Sequence, residues 1–197
     1  NCSGKHSGIL AFIKNLKLPT KGYINHSHPI HKHINKYVEQ TAERKPTQYA
    51  IDGCSLPTPY FDLLVLAKMY MKLISAQENT TLAKIYNSMT MHPEMVSGEL
   101  GFDTYFMKLY DGLAISKGGA EGMQALAIKI GENEHISLAL KVSDGNHRGN
   151  YISCVKILQH LQIMDNGKAN MLLNFINKEQ HNLNKIKVGE LICKISD

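Results

Sequence analysis

The chain has 197 residues, enough for one well-packed domain, and 43% of them are hydrophobic, which excludes a disordered chain. Its 22 Lys and Arg against 17 Asp and Glu leave a formal charge of +5, but the basic residues are scattered without interleaved aromatics, so no nucleic-acid partner is expected. No apolar run approaches the ~20 residues that span a bilayer, and four cysteines (Cys2, Cys54, Cys154, Cys193) are too few for a disulfide scaffold, so no membrane partner and a reducing cytoplasm are expected.

Ser3 is positioned to cap a first helix from about Ser3 to Leu18, with Ile9, Leu10, Ile13 and Leu16 as its apolar residues and Pro19 as its stop. A loop with His26, His28, His31 and His33 follows. Pro29 opens a second helix striped by Ile30, Ile34, Tyr37 and Val38. The histidines other than His28 read as solvent-facing. Tyr49-Ala50-Ile51 reads as a short extended entry to a turn at Asp52-Gly53-Cys54. Thr58 and Pro59 are expected to cap and open a third helix carrying Phe61, Leu64, Ala67, Met71 and Ile74. A fourth helix covers Thr81 to Met89, Pro93 interrupts, and a short helix runs from about Asp103 to Leu109.

The pattern then changes. Gly112 to Ser116, Met123 to Ile130 and His135 to Val142 are short apolar runs separated by Gly-bearing turns, which predicts three consecutive antiparallel strands with Lys117 at the end of the first. Helices near Arg148 to Leu161 and Ala169 to Asn177 and a strand near Glu190 to Ile195 complete the reading. Arg148 is placed to pair with Asp144 at the start of its helix. The fold class is therefore α+β, an antiparallel sheet flanked by helices, in a single domain over 1–197: mostly helical over 1–110, sheet with packing helices over 111–197.

Two groups of residues could carry chemistry. Cys2 and Lys5 lie about one helical turn apart, and Cys54 sits in the Asp52-Gly53-Cys54 turn; two thiols and a lysine could meet around one ion. Spacing alone favours two buried reduced thiols and a surface lysine, because Cys-x-x-Lys is not a recognised zinc pattern. Ser116-Lys117-Gly118-Gly119 places a lysine at a strand end, where it could act on a hydroxyl as a base or simply sit in a hairpin turn. His92-Pro93-Glu94 could line a site rim or only break a helix, and Glu121 could meet a substrate amino group or only cap the hairpin.

Four runs occur together and in order: Asn1 to His6, Asp52 to Pro57, His92 to Gly98 and Lys117 to Gly122. They resemble the Asn-Cys-Ser-Gly-Lys-His, Asp-Gly-Cys-x-x-Pro, His-Pro-Glu-x-Val-x-Gly and Lys-x-Gly-Ala-Glu-Gly runs of the thermolabile, Rhizobium-type L-asparaginase II family. The resemblance covers the C-terminal part of a member. It implies an architecture similar to serine β-lactamases and penicillin-binding proteins, incomplete at the N-terminus. It also implies a zinc ion held by Cys2, Lys5 and Cys54 with Asp52 behind them, and Lys117 as the catalytic lysine, with Glu121 and His92 near the substrate.

That family's Ser-x-x-Lys nucleophile is expected ahead of Asn1. The one Ser-x-x-Lys present, Ser153-Cys154-Val155-Lys156, lies in an apolar helix and reads as a chance match. The resemblance implies hydrolysis of L-asparagine, or a similar small amide, to aspartate and ammonia by a Ser/Lys mechanism. The alternative is an inactive truncated or split member that folds and binds zinc. Either way a homodimer, or pairing with an N-terminal portion, is expected, because an incomplete sheet leaves an edge to cover.

Overall fold

A computed structural model describes residues 2–176 and 178–196, and the chain clusters into two compact units, one running to Met69 and the other from Tyr70 on. The described residues form eight α-helices and three small antiparallel sheets, a mixed α and β fold. None of the helices is long and apolar enough to cross a membrane.

In the first unit, α1 spans Cys2–Asn15 and α2 spans Pro29–Ala42. Cys2 is already helical, so Ser3 lies within α1 and is not its cap. The helix closes with Lys17 in the left-handed region (φ 56°) and a bond from Leu18 N–H to the Ile13 carbonyl. The cap of α2 is His28, whose Nδ1 accepts from the Ile30 N–H at 3.2 Å, while Pro29 occupies the first turn.

Strands β1 (Gln48–Ile51) and β2 (Pro57–Tyr60) then form a hairpin around Asp52-Gly53-Cys54. Thr58 and Pro59 therefore belong to a strand, and α3 begins later, at Leu63 (Leu63–Ile74). Proline is compatible with this ladder because of parity. Asp52 N–H bonds to the Leu56 carbonyl, and Ala50 lies opposite Thr58, so Pro57 and Pro59 fall at the alternate positions whose nitrogens point away from β1.

The second unit is built on the meander β3 (Ala114–Gly119), β4 (Met123–Lys129) and β5 (His135–Lys141), in that spatial order. The predicted antiparallel meander is present. Its central strand is buried along both faces, as its near-continuous apolar run requires. One face carries Ala114, Leu126 and Ile128 into the main core with α6 (Phe102–Leu109), α7 (Asn150–His160) and α8 (Asn166–Phe175). The other face carries Ile115 and Ala127 against Ile74, at the end of α3, and Tyr86 of α4 (Thr81–Met91). A short α5 (Glu94–Ser97) follows Pro93.

Two strand boundaries differ from expectation. β3 runs on to Gly119, because its ladder with β4 continues to the Gly119–Met123 pair, and Lys117 lies inside the strand. The reversal is made by residues 120–122. Gly122 has φ +63° there, and a Cβ would sit 3.0 Å from both the Gly145 carbonyl carbon and Val142 Cβ. At the other end of the unit, the last strand is β7 (Lys187–Glu190), paired with β6 (Glu179–His181). Past Glu190, among the described residues, only the Leu191 N–H still bonds across, to Lys178, so the alternation to Ile195 forms no described strand. Asn177, the expected end of the α8 region, lies outside the described residues.

Candidate functional site

In the first unit, the hairpin turn folds Asp52 and Cys54 back toward α1. Cys2, Asp52 and Cys54 offer ligand atoms that all lie within 4.8 Å of one another, a grouping that excludes every other His, Cys, Asp or Glu among the described residues. Lys5 Nζ donates to Asp52 Oδ2 at 2.9 Å, and the Cys54 thiol donates to the same oxygen at 3.1 Å. Asp52 also accepts from the Gly53 N–H through Oδ1 at 2.8 Å, which fixes the turn.

The electrostatics of the cluster are cooperative. Burial works against the Lys5 charge, but hydrogen bonds to Asp52 and Cys54 outweigh it and raise the lysine pKa. The Lys5 bond in turn holds the Asp52 carboxyl below its ordinary value. Cys2 is exposed and Cys54 half-buried, both as free thiols. The Lys5 and Asp52 side chains are 45% and 30% exposed, so their pair contributes only ~0–1 kcal/mol to stability. A cavity of about 390 Å³ opens beside Lys5, walled by Ile9, His31, Ile34, Val38 and Leu56.

The four histidines do not join this cluster. His28 and His31 are both buried, which corrects the solvent-facing expectation for His31. Their Nε2 atoms bond the Pro19 and Tyr23 carbonyls, both at 2.8 Å, so these rings pin the connecting loop. His26 stacks on His31, and His33 meets the edge of Phe12.

In the second unit, Lys117 is half-buried on β3 opposite Ala125, and its Nζ turns back onto the Gly118 carbonyl. Residues on either side of it are tied to a buried polar network that sequence reasoning missed. Asp103, on α6 and only 2% exposed, accepts from Ser116 Oγ at 2.6 Å, from Gly118 N–H at 2.7 Å and from Gln124 Nε2 at 2.6 Å. Gln124 Nε2 also reaches Ser116 Oγ at 2.7 Å, and Asn150 Nδ2 meets Gln124 Oε1 at 3.3 Å. Among the described residues no cation pairs with Asp103. Burial first, and the Asp103 charge second, keep the Tyr151 phenol above its ordinary pKa. An Asp at an otherwise apolar face of a short helix, among Phe102, Phe106 and Met107, is the only signal of this network in the sequence.

Other expected residues stand apart from Lys117. His92 ends α4 with its Nδ1 3.6 Å from Glu94, and Glu121 is exposed in the β3–β4 turn against the Gly145 backbone; neither bonds to Lys117. A cavity of about 780 Å³ opens at the far end of the meander beside Leu113, Ile128 and Ile136, away from Lys117. Ser153 and Lys156 lie on α7, where Lys156 bonds Gln159 at 3.1 Å, and Cys154 between them is fully buried. Arg148 and Asp144 do approach, to 3.8 Å.

No curated protein is similar enough to the chain to match it. Residues 1–193, in contrast, match the family described as L-asparaginase II, a span that takes in both the thiol cluster and the Lys117 strand. With nearly its whole length inside that match, the chain belongs to the L-asparaginase II family.

Proposed function

We propose that the chain takes part in hydrolysis of the side-chain amide of L-asparagine, or a similar small amide, by a Ser/Lys mechanism in which Lys117 is the base. The observation that supports it most is the family match over 1–193, which brings with it an amide substrate class. Lys117 is held on a strand with its amine turned onto the Gly118 carbonyl, and to trade protons with a hydroxyl that amine must come within hydrogen-bond reach of it. The serine nucleophile is proposed to lie outside these 197 residues, brought by a further segment or a second chain. The β-lactamase-like arrangement is proposed on the same footing: the meander carries helices on both faces, as that architecture requires.

Zinc is proposed for the cluster in the first unit. The donor set suits it: two thiols, with an amine and a carboxylate beside them. Cys2, Lys5 and Cys54 would hold the ion, and Asp52, which touches both Lys5 and Cys54, would orient them. Lys5 must first give up a proton whose loss its raised pKa opposes, so the ion has to displace it. Bound there, zinc would supply positive charge to anchor a substrate carboxylate or polarise a carbonyl. Asp52 keeps Cys54 and Lys5 converged on one oxygen before any ligand arrives.

The test pairs ammonia release from L-asparagine with calorimetric binding of L-aspartate to the purified chain. Binding with turnover that Lys117→Ala lowers by about 10²-fold or more supports a complete site. Binding without turnover supports a substrate-binding part that needs a separate nucleophile. A chain that shows no binding and no turnover refutes the reading.

A further inference from the structure

We propose that Asp103 is a positioning residue for Lys117. The inference rests on the reading of Lys117 as the working lysine. In a strand, successive side chains point to opposite faces, so Ser116 and Gly118 share one face and Lys117 takes the other. Asp103 grips the chain from the Ser116 face at two consecutive same-side positions: Oδ1 takes the Ser116 hydroxyl at 2.6 Å and Oδ2 takes the Gly118 N–H at 2.7 Å. These positions flank Lys117 directly. One carboxylate with an oxygen on each neighbour holds the backbone at the intervening residue, and so the direction in which its Cα–Cβ bond leaves the sheet.

Three further features make this a dedicated clamp. First, the Gly118 N–H is pinned by Asp103 while the Gly118 carbonyl receives the Lys117 amine, so a single clamped residue sets where that amine rests. Second, the network packs directly against Gly118: a Cβ there would stand in ordinary contact with Gln124 Oε1 at 3.4 Å and Asp103 Oδ2 at 3.5 Å. Third, Asp103 is itself held from the next strand, because Gln124 Nε2 bonds both Oδ1 and Ser116 Oγ, and Asn150 of α7 bonds Gln124. A buried carboxylate is costly unless hydrogen-bonded, and a core made only for packing would place an apolar residue between Phe102 and Phe106. Its cost is offset by three donors, two of which belong to the neighbours of Lys117.

The test reads the amine itself. The full chain is labelled with a trace of an amine-acylating reagent, and the labelling rate of Lys117 is followed by peptide mass spectrometry across pH, with Lys129 and Lys84 as internal references. Asp103→Asn and the milder Ser116→Ala are compared with the wild type under conditions where circular dichroism shows each folded. Positioning predicts a change of about fivefold or more in the Lys117 rate, the size of one ordinary net hydrogen bond, with Lys129 and Lys84 unchanged. An unchanged Lys117 profile in folded Ser116→Ala and Asp103→Asn overturns the proposal, because a purely structural role lowers stability without moving the amine. Should Asp103→Asn fail to fold, Ser116→Ala alone decides. Lys117→Ala in the ammonia and binding assays separates the two ideas. If labelling shifts but Lys117→Ala is silent there, the clamp stands and the catalytic reading of Lys117 falls.

Discussion

Asp103→Ala should destabilise the protein by about 2–6 kcal/mol. The figure comes from counting donors. Gly118 N–H and Ser116 hydroxyl both lose their acceptor outright, in a region where Ser116 is fully buried. Gln124 loses less, since its amide keeps the Ser116 oxygen. A stranded buried donor costs ~1–3 kcal/mol, and two such donors set the range. Against a total stability of ~5–15 kcal/mol this is a large fraction. Urea unfolding followed by far-UV circular dichroism should show the midpoint falling by about 1–3 M, for a slope of ~2 kcal/mol/M. Asp103→Asn keeps the shape but presents an N–H where one donor now points, so it should fall between wild type and Asp103→Ala. A loss below about 1 kcal/mol in Asp103→Ala would mean that water reaches the three donors, and the reasoning that treats this network as dry would be wrong.

Fresh, chelator-free protein should carry about one zinc per chain by elemental analysis, and Cys54→Ser should lose it; protein that never binds zinc sinks the metal proposal. Burial, with His26 and His28 alongside, lowers the His31 pKa from its ordinary 6.5. The unfolded chain therefore takes up the proton first, so the His31 contribution is complete above about pH 6.5 and is lost as pH falls toward the depressed folded value. His31→Gln, which keeps a donor for the Tyr23 carbonyl, should flatten that acid limb in thermal melts at several pH values. Gly122→Ala combines a positive φ with backbone 3.0 Å away and should cost ~1–3 kcal/mol, whereas Gly8→Ala in α1, with open space around it, should gain ~0.5–1 kcal/mol. A urea titration of both that ranks them in the opposite order refutes the conformation assigned to the β3–β4 turn.

The strands of the second unit were legible because each is a short apolar run bounded by glycine, and the meander follows from that pattern alone. Its exact turn was not, since Gly118-Gly119 looks like a turn in sequence but stays in the strand, paired with Gln124 and Met123 of β4, while Asp103 takes the outward Gly118 N–H. Thr58-Pro59 misled for a related reason: the pair has the composition of a helix start, and only the pairing parity with β1 reveals that proline costs that ladder nothing. The thiol cluster could be named from motifs, but the position of Asp52 between Lys5 and Cys54 is a tertiary fact. Asp103, Gln124 and Asn150 carried no periodic signal, because a buried polar residue is invisible to any pattern that scores apolar faces.

The two candidate sites are organised by opposite means. Around Lys117 the protein does the work in advance: a one-residue slip of β3 against β4 would turn Lys117 toward Asp103 and bring Ser116 to the far face, stranding the buried carboxylate. The Asp103 bonds therefore specify the register as well as the rotation of the strand. Cys2, Lys5, Asp52 and Cys54 have no such lock. Their ties are part-exposed, and the Lys5–Asp52 pair is of the kind that contributes little. A ligand that gathers those donors must supply the ordering energy itself, so occupancy there should stiffen α1 against the β1–β2 hairpin. Hydrogen exchange with and without added zinc is then the sharper probe of the first unit. Protection confined to Cys2–Lys5 and Asp52–Cys54 is the outcome that donor set predicts, and exchange that zinc leaves unaltered would remove the cluster from the reckoning.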